Sequence, residues 1–216
     1  NAPLSAIAAG SKATVAFLES EDWMDETLGA RVENGRLIGC KEHVADAAAA
    51  DLILVPATEN GALVIVVVEG RSIGSEARRA HDVIDATRRA QALNLDLAVT
   101  DSQIIRGTGL ANAMDETRLI GALLVAAEST GAAVSCLNTT VDYLKTRKQF
   151  GKLIGSYQAL KHPAVDILCA IDSSKSLVYQ AASEVSNDRL SRDARVACHM
   201  AKSKASETIL FAGDRA

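Results

Sequence analysis

The residues that could do chemistry crowd into one stretch, Tyr143 to His162, "YLKTRKQFGKLIGSYQALKH". Arg147, Phe150, Tyr157 and Gln158 lie within twelve positions there, broken by Gly151 and Gly155. Taken singly each has an ordinary reading. Arg147 suits a helix end, where a cation meets the negative end of the dipole. Phe150 on its own belongs in a core, and Gln158 on a surface. Their joint spacing is what asks for a function. Elsewhere the chemical inventory is thin. Cys40, Cys136, Cys169 and Cys198 form no Cys-x-x-Cys pair and have no histidine at metal-ligand spacing, so reduced thiols and no metal centre are expected. His43, His81 and His199 lack a partner motif and are read as solvated or packed. The pairs Arg78-Arg79 and Arg88-Arg89 read as solvated loops.

Two kinds of element must position that segment. Before residue 110 the apolar residues come in short runs separated by turns: "ATVAFLE", "GARVENGRLIGC", "DLILVPA", "ALVIVVVEG" and "ALNLDLAV". Asn34-Gly35 and Asn60-Gly61 each divide two such runs, a hairpin signal because both residues tolerate positive φ. After residue 110 the period lengthens. Leu119, Leu123, Ala127, Val134, Leu137, Val141 and Leu144 recur at steps of three, four or seven, predicting one long helix from about Asn112 to Arg147. A second helix is expected from about Ser156, and a third from about Arg192 to Phe211. The fold class is therefore α+β: a small antiparallel β-barrel or sandwich domain, 1–110, followed by an incomplete antiparallel helical bundle, 111–216.

With 216 residues, 48% hydrophobic content and a net charge of −4, the chain has ample core, and its overall field gives no reason to expect nucleic acid. No membrane span is expected either, the longest apolar run being read as the strand "ALVIVVVEG". "NAPLSAIAAG" has no charged leader, and both ends read as limits within a longer protein.

"RKQFGKLIGSYQALKH", followed by "AVDILCAIDSS" and preceded by "LLVAAESTGAAVSCLNTTVDYLK", resembles the acyl-CoA dehydrogenase family. "NGRLIGCKEHVADAAAADLILVPA" resembles, more weakly, that family's middle β domain. The likeness implies a flavoprotein that oxidises the Cα–Cβ bond of an acyl-CoA thioester, with FAD between β and helical domains and an arginine loop reaching a neighbouring subunit's FAD. By this likeness Arg147 would pair with the diphosphate, Phe150 would pack on the cofactor, and Tyr157 and Gln158 would contact its adenosine or ribityl side. His162 matches a family position and is read as structural. The resemblance further implies a dimer of dimers, an electron-transfer flavoprotein as acceptor and a bacterial cytoplasmic setting.

The catalytic base is unassigned. One subfamily supplies a glutamate early in the long helix, at the position that here is Gly121; the commoner position would lie beyond Ala216. His43-Val44-Ala45 stands where the family carries Trp-Ile-Thr or Trp-Ile-Ser against the flavin. "FLESEDWMDE" keeps only Glu19 of a Thr-Glu-Pro and Gly-Ser-Asp motif. Two readings follow: an active dehydrogenase, or a non-catalytic partner subunit that lends Arg147, Phe150 and Gln158 to an active paralogue. A cofactor-free helical scaffold would leave the Arg147 to Gln158 loop unexplained.

Overall fold

The computed structural model describes residues 2–22 and 27–215 and divides into two compact units, Asn1–Ala111 and Asn112–Ala216. The end of the "FLESEDWMDE" stretch, Trp23 to Glu26, lies outside the described residues.

The first unit opens with a short helix, α1 (Ala2–Ala8), which the sequence reading did not anticipate. Its strands are β1 (Ala13–Val15), β2 (Arg31–Glu33), β3 (Arg36–Ala45), β4 (Leu52–Glu59), β5 (Ala62–Glu69), β6 (Arg78–Ala80), β7 (Ala90–Ala98) and β8 (Ile104–Arg106). They form one sheet ordered β6-β7-β3-β2-β4-β5-β8, with β1 beside β4. Pairing is antiparallel except where β1 and β2 meet β4. Both Asn-Gly pairs make two-residue hairpins. Asn34 and Gly35 have φ of 51° and 73°, and Asn60 and Gly61 have 51° and 79°, the doubly positive pattern that matches strand twist. Leu37, Ile53, Val55, Val66 and Leu93 are wholly buried between the strands. Each contributes about 1.5–3 kcal/mol of transfer free energy.

The Arg78-Arg79 pair is in β6, not in a solvated loop. The half-buried Arg78 guanidinium donates to the carbonyls of Ala47, Gly70 and Ile73 and to Gln91 Oε1. These are turn carbonyls that no strand partner satisfies, so the arginine closes that side of the sheet.

The second unit is three helices, α2 (Leu110–Thr146), α3 (Gln158–Asn187) and α4 (Arg192–Arg215). At 1.5 Å per residue α2 runs about 55 Å. Ser191 caps α4, its Oγ accepting the Ala194 N–H at 3.0 Å, as N-cap serines do. Two apolar clusters fill the unit. One joins Leu119, Ala126, Ala181, Cys198, Ala201 and Ala205, and the other Ala133, Leu137, Ile167, Ile171 and Ala212. The abundance of alanine lets α3 and α4 approach closely. Between the clusters Thr130 Oγ1 and Ser174 Oγ meet at 2.7 Å, both buried.

The expectation that no stretch has the length and composition of a membrane span needs correcting. A window of α2 is long and apolar enough to cross a bilayer by those two criteria. The same helix buries Leu119, Ala126, Thr130, Ala133 and Leu137, as a core helix does. The four cysteines are free thiols.

Candidate functional site

The loop joining α2 to α3, together with the first residue of α3, gathers all four residues singled out by spacing. Backbone bonds fix its course. Arg147 N–H donates to Tyr143 O at 2.9 Å, extending the last helical turn, and Arg147 O accepts from Ile154 N–H at 2.9 Å. Between those anchors the chain turns back in a miniature hairpin, β9 (Lys148–Gln149) against β10 (Lys152–Leu153). Its two-residue tip is Phe150 and Gly151, with φ of 55° and 77°. Gly151 takes this conformation freely. For a bulky aromatic such as Phe150 it is a strained outlier. Behind the tip, Gly155 lies against α2 so closely that a Cβ there would come within 2.8 Å of Leu144 O.

Phe150 is not in a core, as the reading of that residue alone would have it. Its side chain is 91% exposed and meets the Tyr157 ring in an edge-to-face contact, at 6.4 Å between centroids and 87° between planes. Lys152 Nζ sits 4.2 Å above the same Tyr157 ring, a cation held over a π face. Gln158 is the exposed first residue of α3, whose N-cap Tyr157 makes no side-chain capping bond. Arg147, Lys148, Lys152 and Lys161 have no acidic partner among the described residues. Four cations beside an uncapped helix N-terminus are suited to a polyanion. A guanidinium can also grip phosphate oxygens with two parallel hydrogen bonds. His162 lies exposed on α3 and His199 exposed on α4.

A second polar constellation occupies the first unit, and spacing did not reveal it. Lys41 is fully buried, its Nζ 2.5 Å from Glu19 Oε1. Glu19 also accepts the N–H groups of Gly29 and Ala30. Burial pulls the Lys41 pKa below the usual lysine range, against the Glu19 bond that supports its charge. Next to it, β3 bulges between Lys41 and Val44, and His43 sits in the bulge with φ of 49°. The His43 and His81 rings stack, centroids 4.0 Å apart and planes 16° from parallel. His81 Nε2 lies 2.9 Å from Glu42 Oε2, and Arg79 Nη2 is 3.2 Å from both oxygens of that carboxylate. Cys40 Sγ reaches Glu42 Oε1 at 3.7 Å; burial and the neighbouring Glu42 push its thiol pKa up, which disfavours the thiolate. No group of three candidate ligands is arranged to hold a metal ion among the described residues.

Residues 107–216, half of the chain, match the family model described as acyl-CoA dehydrogenase, C-terminal domain. The chain belongs to the acyl-CoA dehydrogenase family. Among curated relatives, acyl-CoA dehydrogenase IpdE2 of Mycobacterium tuberculosis is 50% identical over 60 residues, 28% of this chain and 19% of IpdE2. Among solved structures, the FAD complex of PigA superposes with a TM-score of 0.79 at 22% identity, over 98% of this chain and 58% of PigA. The ChsE4-ChsE5 complex of Mycobacterium tuberculosis superposes with a TM-score of 0.72 at 24% identity, over 97% of this chain and 57% of the matched chain. The chain thus spans less than two thirds of each of these proteins. At such identities the superpositions establish an acyl-CoA dehydrogenase-like fold, a mixed α+β unit followed by a helical bundle.

Proposed function

We propose that this chain is part of an FAD-dependent acyl-CoA dehydrogenase, and that the α2–α3 loop is its contribution to the dinucleotide site. The observation that carries this reading is the set of cations without an acidic partner among the described residues, Arg147 foremost, around a hairpin whose tip holds Phe150 in strained exposure. Those residues fit the cofactor. Arg147 would hold the diphosphate, with Lys148 and Lys152 adding positive field. Phe150 presents a bare apolar ring to pack on it, and Gln158 offers an amide donor and acceptor. Bound FAD supplies the hydride acceptor for oxidation of an acyl thioester between Cα and Cβ. The work of this chain is to bind and orient, so that the reacting groups are held at fixed geometry. Strain at a ligand-binding tip agrees with that role, since such conformations persist where function requires them. By family likeness, assembly is as a dimer of dimers in a bacterial cytoplasm, with an electron-transfer flavoprotein as acceptor, and the two units act as middle β domain and helical domain.

A second reading is a non-catalytic partner subunit that completes the FAD site of an active paralogue. Gly121 favours it, having no carboxylate where one subfamily places the base, as do the hydroxyl-free His43-Val44-Ala45 stretch and the likeness to a chain of a two-component complex, ChsE4-ChsE5.

The test is Arg147→Ala in the full-length protein. Retained flavin, read from its visible absorbance, is expected to fall with a loss of about 2–5 kcal/mol in binding. Unchanged flavin content would remove Arg147 from the site. Flavin acquired only on co-expression with a paralogue would select the partner-subunit reading.

A further inference from the structure

Helix α4 buries its alanines, Ala194 through Ala212, along one side. The opposite side carries Val196, Met200, Ser203, Glu207, Leu210 and Asp214, at steps of four and three in strict alternation. That is the spacing of a seam along which two helices pack. Val196, Met200 and Leu210 are 48%, 50% and 74% exposed, and the other three are exposed as well. A helix with no neighbour on that side gains nothing from the pattern.

The ends of α4 carry charges in mirrored order. Arg192 and Asp193 open the helix, Asp214 and Arg215 close it, and none of the four takes part in an ion pair among the described residues. Asp193 and Arg215 suit the helix dipole. Arg192 at the N-terminus and Asp214 at the C-terminus oppose it, an unfavourable placement within one copy.

One register answers both observations. Ser203 lies seven positions from both Val196 and Leu210, and eleven from both Arg192 and Asp214. An antiparallel copy whose two-fold axis passes at Ser203 therefore sets Val196 against Leu210 and Arg192 against Asp214, each contact made twice. With 3.6 residues per turn, Asp193 and Arg215 fall on the same flank of the seam, and such an axis brings like flanks together. Those two charges then come within reach as well. Ser203 is small enough to let the helices approach at the axis, and Glu207 falls beside Met200 of the other copy.

We propose that the outer face of α4 docks on the same face of a second copy of this chain, antiparallel, with Ser203 at the two-fold axis. The interface is isologous, one patch used twice. Charge order selects this arrangement, because a parallel pairing would set Arg192 against Arg192 and Asp214 against Asp214. The contact goes beyond the flavoprotein reading and does not depend on it.

The test uses the full-length protein and reads self-association by sedimentation equilibrium. Arg192→Glu and Asp214→Arg should each weaken it roughly three- to thirtyfold, the worth of two exposed ion pairs turned into like-charge contacts. The two substitutions together should restore it. These positions are about 33 Å apart along one helix, so mutual rescue requires a second copy in this register. Ser203→Cys should cross-link to itself under mild oxidation, giving a disulfide-linked dimer on a non-reducing gel above the level set by wild type, whose Cys169 is exposed. Thermal melts identify a charge variant that fails to fold, and Ser203→Cys then carries the test. Absence of rescue in folded variants, or a Ser203→Cys protein that cross-links no more than wild type, overturns the proposal and means that another segment or a different partner covers α4.

Discussion

Phe150 meets Tyr157 edge to face, ring centroids 6.4 Å apart, yet remains 91% exposed. Tyr157 thus props the aromatic at the hairpin tip without burying it, and on its other contact carries the Lys152 ammonium 4.2 Å from its centroid. A left-handed backbone costs a bulky residue about 1–2 kcal/mol, and a side chain this exposed gains little burial to set against it.

Phe150→Asn should therefore stabilise the protein. It would convert the tip to the Asn-Gly pair that makes both long hairpins here, Asn34-Gly35 and Asn60-Gly61. A gain of about 1 kcal/mol is expected, seen as a rise of roughly 2–4 °C in Tm. Flavin retention should fall in the same variant. A lower Tm would mean that Phe150 contributes to folding, and that its exposure is not that of a ligand contact.

Gly155→Ala tests the seating of the hairpin on α2. The added methyl would meet Leu144 O at 2.8 Å, a backbone atom that cannot swing aside. A loss of about 1–3 kcal/mol is expected in urea unfolding, together with weakened flavin retention because Arg147 and Ile154 share one hydrogen bond across the loop. Gly151→Ala, with open space around it, should cost only its left-handed backbone, about 1–2 kcal/mol.

Thr130 and Ser174 make a buried hydroxyl pair between α2 and α3. Thr130 Oγ1 donates to Ala126 O at 2.8 Å, so the proton between the two hydroxyls comes from Ser174. Thr130→Val leaves the Ser174 hydroxyl without that acceptor, and about 1–3 kcal/mol is expected to be lost. Thr130→Val with Ser174→Ala should recover part of it. Additive losses in a double-mutant cycle by urea unfolding would mean the two side chains are not coupled.

What could be read in advance divides by range. The Asn-Gly hairpins and the long helix were legible because φ tolerance and a 3.6-residue period are local properties; α2 runs Leu110–Thr146 against the expected 112–147. The α2–α3 loop could be found, and the family resemblance sets Phe150 against a cofactor; taken alone the residue reads as core, because a large apolar side chain is most often buried, and no local signal marks the tip of a two-pair hairpin. Arg78 was misplaced for a related reason. Its partners are carbonyls of the distant Ala47 and the nearer Gly70 and Ile73, and adjacent arginines look the same whether they are solvated or knitting turns together. The His43–His81 stack joins residues 38 positions apart across a bulge. Nothing in periodicity or spacing encodes a bulge that admits such a contact.

The Lys41–Glu19 pair makes the strongest demand on stability. Lys41 is wholly buried and Glu19 only 13% exposed, so each ion has given up most of its water. Lys41→Met strands a nearly buried carboxylate, whose remaining partners are the Gly29 and Ala30 N–H groups, and about 3–5 kcal/mol should be lost. Lys41→Met with Glu19→Leu removes both charges, and should recover most of that loss. The pair also has a pH signature. Because burial lowers the folded-state pKa of Lys41, the unfolded chain binds more protons than the folded one between that value and the usual lysine pKa. The contribution of Lys41 to stability therefore rises with pH through this alkaline window and is level above it. Urea unfolding of wild type and Lys41→Met from neutral pH to about pH 10.5 should give stabilities that diverge as pH increases. Parallel curves would mean that Lys41 titrates alike in both states, and that the buried pair does not perturb it.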